Sequence, residues 1–559
     1  MKYLYLTDAD YQQLTADSAK GQDAFKASPR ITSKGLKHWV VSDIIGGEDG
    51  LGVECLSGSG TIASAYSKAF QEGLTMTVVS GRTVGIGAYL ARLGRRCIQR
   101  SDQPIILTGY TALNKLLGRR VYKSNHQLGG PQVLGFNGMS HLVVDDDLQA
   151  AEATLRWLSY LPIRVGDPTR CLPCPDPIDR DIRYAPPEGA KIDPRAALAG
   201  RLIGDCWQTG LMDRGSWVEM QRDWARTVIV GRARLGGCPV GVVAAESATQ
   251  TVTVPADPAI PGSAEATVSQ AGQVWYPDSA LKTAHAIEEM NKEGLPLVIL
   301  ANWRGFSGGQ RDLLDGILQA GSLIVEELRK YRHPVLVYLP PGSELRGGAW
   351  VVIDSQINTA AIEMFADPTA TGGVLEPEGI VEIKMRANEL KAAMHRLDPT
   401  IKQLKTPKSD TNGMQRAQSV GTSKKILARE KTLMPAYQQV AIAFAGMHDT
   451  PVRMIAKGVV KDIVPWEDAR RVLATRLRRR LAENAWAQKL EEASEVLTHK
   501  AALDLVRGVA GQHVEQTDDK GVSWEVDASF VEWANSDMAT EVLQELLTVS
   551  IPSWFHTLA

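Results

Sequence analysis

From residue 1 to about 170, short apolar runs bounded by glycines alternate with stretches of helical period, the pattern of a layered α/β unit. From Asp167 to Pro194 the alternation stops. That stretch is dense in proline and aspartate and has no hydrophobic period, so a linker is predicted there. A second α/β unit follows. Residues 227–244 are two β-rich runs around Gly236-Gly237, a hairpin signal. Leu295–Ala301 is an uninterrupted apolar run, read as a strand buried on both faces. Leu314, Ile317, Leu318, Ile324, Val325 and Leu328 then share one stripe of a helix predicted over about 310–332. Pro334–Leu339 returns to strand and closes a strand-helix-strand unit.

The same order occurs twice, which predicts two related units in tandem. In the first, Gly58-Ser59-Gly60 precedes a helix over about 61–72, the strand Thr75–Val79 and the glycine turn Gly81–Gly87. In the second, Gly305–Gly309 precedes the long helix, the strand 335–339 and the turn Leu345-Arg346-Gly347-Gly348. The second unit also has a hairpin, a helix near Asp278–Lys292 and a strand without clear counterparts before Gly58, so the first core is expected to be incomplete. The predicted division is an incomplete N-terminal unit at 1–175, a linker at 176–194, a C-terminal core at 195–399, a polar and mobile insertion at 400–425, and a helical region at 426–559.

Composition narrows the function classes. Among 559 residues, 62 Lys and Arg against 64 Asp and Glu leave a formal charge of -2, so nothing draws the whole chain to nucleic acid or to an anionic membrane. No apolar run is long enough to span a bilayer, and the N-terminus lacks the apolar region of a signal peptide. The six cysteines are scattered, which suits a reducing compartment and reads as free thiols. Cys171-Leu172-Pro173-Cys174 is a lone C-x-x-C with no second pair at zinc spacing, so no metal site is predicted.

Three features carry candidate chemistry. Gly305-Phe306-Ser307-Gly308-Gly309 fits G-x-S-x-G between a strand and a helix, which makes a serine hydrolase using Ser307 a rival. Neither His333 nor His395 is an obvious partner for it, and the plain reading is a glycine turn that lets a helix N-terminus approach a ligand. The turns at Gly85-Ile86-Gly87 and Gly347-Gly348 offer unhindered backbone N–H groups after a strand, the raw material of an oxyanion hole, or simply tight packing turns. Arg82 and Arg304 lie beside such turns at strand ends, where open α/β sheets bind ligands, so each is a candidate for a carboxylate or phosphate. Arg476, Arg478, Arg479 and Arg480 read as solvated or as paired with nearby acids.

The segments SDIIGGEDGLGVECLSGSG (42–60), GRTVGIGAYLARLG (81–94), LANWRGFSGGQRD (300–312), ELRGGAWVVID (344–354) and VLEPEGIVEIKMR (374–386) are long and specific. Through them the chain resembles the carboxyltransferase domain of eukaryotic multidomain acetyl-CoA carboxylases. The resemblance implies tandem crotonase-like units followed by a helical C-terminal region. It also implies a head-to-tail homodimer, with the active site between the N unit of one chain and the C unit of the other. The implied reaction moves a carboxyl group from carboxybiotin, carried on a separate biotin carboxyl carrier domain, to acetyl-CoA, giving malonyl-CoA for fatty-acid synthesis. The biotin carboxylase domain that would charge the carrier is absent from this sequence. Backbone amides at Gly85, Gly347 and Gly348 match the family's oxyanion donors, and Arg304 its carboxylate- or thioester-orienting arginine. Arg82, Lys384 and Arg386 match its CoA-binding cations. The compartment implied is the cytoplasm, with the plastid as the other option. This sequence departs from the family at Ala248, where an arginine is usual, at Ile260, where an asparagine is usual, and at Gly81, where a cysteine is usual. The family's region before Tyr3 is missing, which leaves a non-catalytic assembly fragment as a further alternative.

Overall fold

The computed structural model describes residues 4–16, 25–44, 53–187, 191–406, 415–493, 497–514 and 523–548. Near the N-terminus, β1 (Tyr5–Thr7), β2 (Phe25–Ile31) and β3 (Lys37–Ile44) form a small antiparallel sheet in the order β1-β3-β2, with α1 (Asp8–Ala16) beside it. The first unit then runs α2 (Ser59–Glu72), β4 (Met76–Val79), β5 (Thr83–Val84), α3 (Ile86–Leu93), β6 (Arg96–Arg100), β7 (Ile105–Ile106), β8 (Leu142–Val144) and α4 (Asp147–Leu158). Its sheet is parallel in the order β4-β6-β8, and β5 pairs with β7 in a separate two-strand ladder.

The second unit contains β9 (Val218–Met220), β10 (Val228–Leu235), β11 (Cys238–Ala245), α5 (Pro277–Lys292), β12 (Leu297–Leu300), α6 (Ile317–Arg329), β13 (Val335–Leu339), β14 (Glu344–Arg346), α7 (Gly347–Ile353), β15 (Ile362–Ala366), β16 (Thr371–Gly373), β17 (Asp462–Ile463) and α8 (Trp466–Glu492). Seven strands order as β9-β10-β11-β12-β13-β15-β17. From β11 onward they are parallel, and every residue of β11, β12, β13 and β15 is buried. Parallel strands covered on both faces need no polar alternation, which is why they read as continuous apolar runs.

The repeat inferred from sequence is present in the topology. The parallel set β4-β6-β8 corresponds to β13-β15-β17, and the β5-β7 ladder to β14-β16. Register fixes the match residue by residue: Thr83 stands opposite Ile105 and Leu345 opposite Gly372, so Gly85 corresponds to Gly347 and Leu107 to Val374. Helix α2 starts after the left-handed Gly58 and α6 after the left-handed Gly316, so Gly58 corresponds to Gly316 and not to the Gly305–Gly309 turn. The helix expected over 310–332 is broken for the same reason, into Gln310–Leu314 and α6.

The two units share one core. Ile98, Val144 and Trp157 of the first belong to the same apolar cluster as Val230, Ile299, Leu328 and Val337 of the second. At their junction sits Glu293, just past α5. Its carboxylate accepts from Arg96 Nε at 2.6 Å, Arg232 Nη2 at 2.7 Å and Trp157 Nε1 at 3.3 Å. Glu289 bonds His141 Nε2 at 3.1 Å, while His141 Nδ1 accepts the Cys97 N–H at 3.3 Å, so His141 carries its proton on Nε2. Lys282, on another face of α5, donates to the carbonyls of Gln221, Trp224 and Val228 at 3.0, 2.7 and 2.8 Å. It thereby closes a turn in which Gln221 and Ala225 hold positive φ.

Three expectations need correction. The linker at 176–194 is packed, not free: Ile182, Tyr184 and Ile192 are buried, and Trp466 Nε1 donates to the Tyr184 carbonyl at 2.7 Å. The insertion at 400–425 is helical at both described flanks, Pro399–Lys405 and the start of Gln415–Gly446, while residues 407–414 lie outside the described residues. Cys171 and Cys238 form a disulfide and are not thiols, because the Leu172 N–H bonds the Gly237 carbonyl at 3.1 Å and lays the Pro-rich segment on the hairpin turn. Of the two readings of the arginine cluster, pairing with acids holds for Arg476 and Arg480, which are buried. Arg476 binds both oxygens of Glu363, at 2.7 and 2.8 Å.

Candidate functional site

The two glycine turns have the same construction. Gly85 (φ 62°) and Gly347 (φ 48°) adopt the left-handed backbone that only glycine takes without strain, each between a two-strand ladder and a short helix. A Cβ on Gly85 would stand 3.9 Å from the Leu107 carbonyl oxygen, and one on Gly347 would stand 2.9 Å from the matching Val374 oxygen. The Gly85 N–H is bonded to the Ile106 carbonyl at 2.9 Å. Parallel register directs the Gly347 N–H toward Gly373 in the same way. The Gly85 N–H is therefore engaged within the fold. The donors left over are the first-turn amides that follow, Ile86 and Gly87 in α3 and Gly348 and Ala349 in α7, because first-turn N–H groups have no helical acceptor.

Around the second turn the chain assembles a polar cluster. Arg304 Nη2 bonds Glu344 Oε1 at 2.9 Å, and Arg304 is about half exposed. Glu344 is held by its backbone N–H, which donates to the buried Asn302 Oδ1 at 3.0 Å; Gln273 Nε2 donates to the same oxygen at 2.6 Å. Arg346 is buried between Asp449, Glu344 and the Leu375 carbonyl. Phe306 lies against Gly348, and Trp275 and Trp303 stack beneath it. The cluster thus presents one accessible guanidinium next to a row of unhindered amides. An exposed ion pair such as Arg304–Glu344 is worth about 0–1 kcal/mol, so an incoming carboxylate can replace Glu344 at little cost. Glu344, Asn302 and Asp449 were not singled out from sequence. Asp449 is 103 residues from its partner Arg346, and no local pattern marks it.

Ser307 is not set up as a nucleophile. Its hydroxyl donates to Asp312, in the first turn of Gln310–Leu314. His333 lies beside Tyr331, and His395 is held by Glu430 at 2.5 Å and Lys405 at 2.8 Å. A serine without a histidine base lacks the proton acceptor that acyl transfer requires. Arg82, Lys384 and Arg386 are exposed, and their side chains make no hydrogen bond or ion pair among the described residues, so three cations remain open to an anionic ligand. The arginine absent at Ala248 leaves no unpaired acid behind, since Glu246 is bonded by Arg195 at 2.6 Å from the other side. Among the described residues no group of His, Cys, Asp and Glu could hold a metal ion, and no helix is long and apolar enough to cross a membrane.

The carboxyl transferase domain model matches residues 6–481. The chain is 51% identical to acetyl-CoA carboxylase 1 of Oryza sativa subsp. japonica, over 100% of this chain and 24% of that protein. It is 50% identical to acetyl-CoA carboxylase 1 of Arabidopsis thaliana, over 98% of this chain and 24% of the relative. It is 49% identical to the acetyl-CoA carboxylase of Dictyostelium discoideum, over 90% and 22%. The chain therefore spans about a quarter of the length of the curated relatives it matches. Among solved structures, transcarboxylase 12S with methylmalonyl-coenzyme A and methylmalonic acid bound superposes with a TM-score of 0.56 at 19% identity, covering 78% of this chain and 71% of that one. That likeness establishes the fold as tandem crotonase-like units. With the family's model matched over residues 6–481 of this chain, the chain belongs to the carboxyl transferase domain family.

Proposed function

We propose that the chain carries out the carboxyl-transfer half-reaction of acetyl-CoA carboxylase, from carboxybiotin on a separate carrier domain to acetyl-CoA, giving malonyl-CoA for fatty-acid synthesis. The observation that carries this reading is the pair of left-handed glycine turns in matching register, Gly85 and Gly347, in a chain about half identical to acetyl-CoA carboxylases. Two oxyanions must be stabilised in this reaction, the thioester enolate and the ureido oxygen of biotin, and the fold has two turns able to do it. Amides of Gly348 and Ala349 serve one and amides of Ile86 and Gly87 the other, each preorganised by its helix and so needing no reorganisation during reaction. Arg304 orients the carboxylate or thioester end. Arg82, Lys384 and Arg386 hold the CoA phosphates by charge-assisted hydrogen bonds. When bound, carboxybiotin would supply CO2 and a ureido anion able to take the methyl proton of acetyl-CoA, and the enolate so formed would bond the CO2 to give malonyl-CoA. No serine nucleophile takes part.

The two turns belong to different units, which favours a head-to-tail dimer in which each site combines the N unit of one chain with the C unit of the other. The experiment runs the reaction backwards, following malonyl-CoA decarboxylation with free biotin as acceptor. Arg304→Ala is expected to lower kcat/KM by about 10- to 100-fold, the worth of one hydrogen bond to a charged group. A wild-type chain that is folded and dimeric by sedimentation, binds CoA and still shows no biotin-dependent turnover would refute the assignment.

A further inference from the structure

The correspondence between the two units exposes one site where they differ. In the second unit Trp350, on α7, lies over Gly372 and donates its indole N–H to Asp354 Oδ2 at 3.0 Å. By the same register, Ala88 stands in the first unit where Trp350 stands in the second, Ile105 where Gly372 stands, and Arg92 where Asp354 stands. The space that an indole fills in one half is therefore open in the other. It is a cavity of about 360 Å³ between α3, the β7 ladder and the second unit, with walls formed by Ile106, Leu134, Met139, Trp224 and Leu281. That volume lies within the range of small-molecule sites.

Its polar lining is of one kind. Arg92, His285 and Asn137 border the cavity. The side chains of Arg92 and His285 make no hydrogen bond or ion pair among the described residues, whereas Asn137 uses its oxygen on the Met139 N–H at 3.0 Å and leaves its amide nitrogen free. The nearest acids are already engaged: Glu288 by Arg95 and Lys292, and Glu289 by His141. Burial, reinforced by Arg95, lowers the Arg92 pKa. Burial, then Arg95 and Arg92, lowers that of His285, which keeps its imidazole neutral at pH 7. One guanidinium, one imidazole and one amide N–H thus border the cavity, with Glu288 and Glu289 acting on the first two only through space and no acid in contact with them.

We infer that this cavity is a binding site for a small apolar monocarboxylate, whose carboxylate pairs with Arg92 and whose hydrocarbon or aryl body takes the place that Trp350 fills in the other half. A guanidinium at the mouth of an apolar cavity suits a planar carboxylate in two-point contact. A neutral ligand would leave the arginine unpaired.

The probe is 4-phenylbutyrate, titrated calorimetrically into the full chain, with 4-phenylbutan-1-ol as the uncharged control. Binding is read whether or not the chain turns over substrate. One saturable site per chain is expected, with the alcohol bound at least about tenfold more weakly, as loss of one charge-assisted hydrogen bond implies. Ala88→Trp, which rebuilds the plug of the other half, is expected to abolish binding. Arg92→Gln, a solvent-edge change that leaves packing intact, is expected to bring the acid down to the affinity of the alcohol, which covers the case of Ala88→Trp failing to fold. Saturating CoA should leave the titration unchanged. The inference is overturned by equal affinity for acid and alcohol, by binding that survives Arg92→Gln, by displacement with CoA, or by no saturable binding up to about 10 mM, a concentration at which even a ligand held by only about 3 kcal/mol would register.

Discussion

Glu293→Gln tests the junction on which both units depend. The carboxylate is fully buried, and Arg96 and Arg232, which it neutralises, have side chains 1% exposed. Glutamine has nearly the same shape but no charge, and its NH2 turns one guanidinium contact into donor against donor. Glu289 stays 3.6 Å from Arg232 and is already bonded to His141, so it cannot take over both arginines. Breaking a buried pair on one side costs about 3–5 kcal/mol, because the remaining charge is left uncompensated. That is a large part of the roughly 5–15 kcal/mol that holds a typical domain folded. The loss should be local, so hydrogen exchange read by mass spectrometry on β6 and α5 is the appropriate assay, reporting the opening free energy of those segments. Faster exchange at the junction, equivalent to at least about 3 kcal/mol, is expected. The triple change Arg96→Met, Arg232→Met and Glu293→Leu should restore protection to the wild-type level or beyond, since apolar residues of similar volume often replace buried ion pairs without loss. A change below about 1 kcal/mol in Glu293→Gln would refute the claim that this carboxylate joins the two units.

Other outcomes follow from the same structure. Gly347→Ala must push its Cβ away from the Val374 oxygen at 2.9 Å and hold φ near 48°, so it should cost about 1–3 kcal/mol and move the turn. Gly348→Ala meets only the Phe306 ring, at 3.4 Å, and should leave the melting temperature nearly unchanged; denaturant melts of both variants check this. Burial alone would raise the carboxyls of Glu289, Glu293 and Glu363, but the adjacent cations hold all three below the ordinary 4.5. The unfolded chain therefore takes up protons first as pH falls through 4.5. Burial also holds His285 and His333 below the ordinary 6.5, so stability should begin to decline as pH falls through 6.5 and decline more steeply below 4.5, as urea melts from pH 7 to 3 would record. Thiol titration of the denatured chain under non-reducing conditions should find four reactive cysteines, and six after reduction. Losing the Cys171–Cys238 link, which spans 67 residues, should lower stability by about 4 kcal/mol on the chain-entropy account.

The second unit was the more legible half, because strands buried on both faces announce themselves as apolar runs and Gly236-Gly237 marks its hairpin unambiguously. The internal repeat was legible as an order of elements, but its alignment was not. Gly58 and Gly305 both sit before helices, and only left-handed caps pair Gly58 with Gly316. Arg304, Gly347 and Gly348 could be chosen from sequence because they crowd into short motifs. Partners reached across the fold could not: Asp449 for Arg346, Cys238 for Cys171, Glu363 for Arg476. The Arg476–Arg480 run left solvation and acid pairing open for a related reason, since only the fold shows which acids the helix faces. Gly85 was correctly marked as a special backbone position, but whether a glycine supplies a donor or a bend depends on ladder register, which a sequence does not display.

Lys282 gives the turn at 221–228 a tethered ammonium, whose pKa burial lowers to about 7. Three carbonyl oxygens around one ammonium make a coordination sphere of the kind that elsewhere holds a monovalent metal ion. Here the group is tethered to α5, so its presence is set by covalent connectivity and its charge by pH. The turn that carries Trp224 to the junction of the two units therefore keeps its shape whatever the potassium or sodium content of the medium, and its geometry is inherited directly from the position of a single helix.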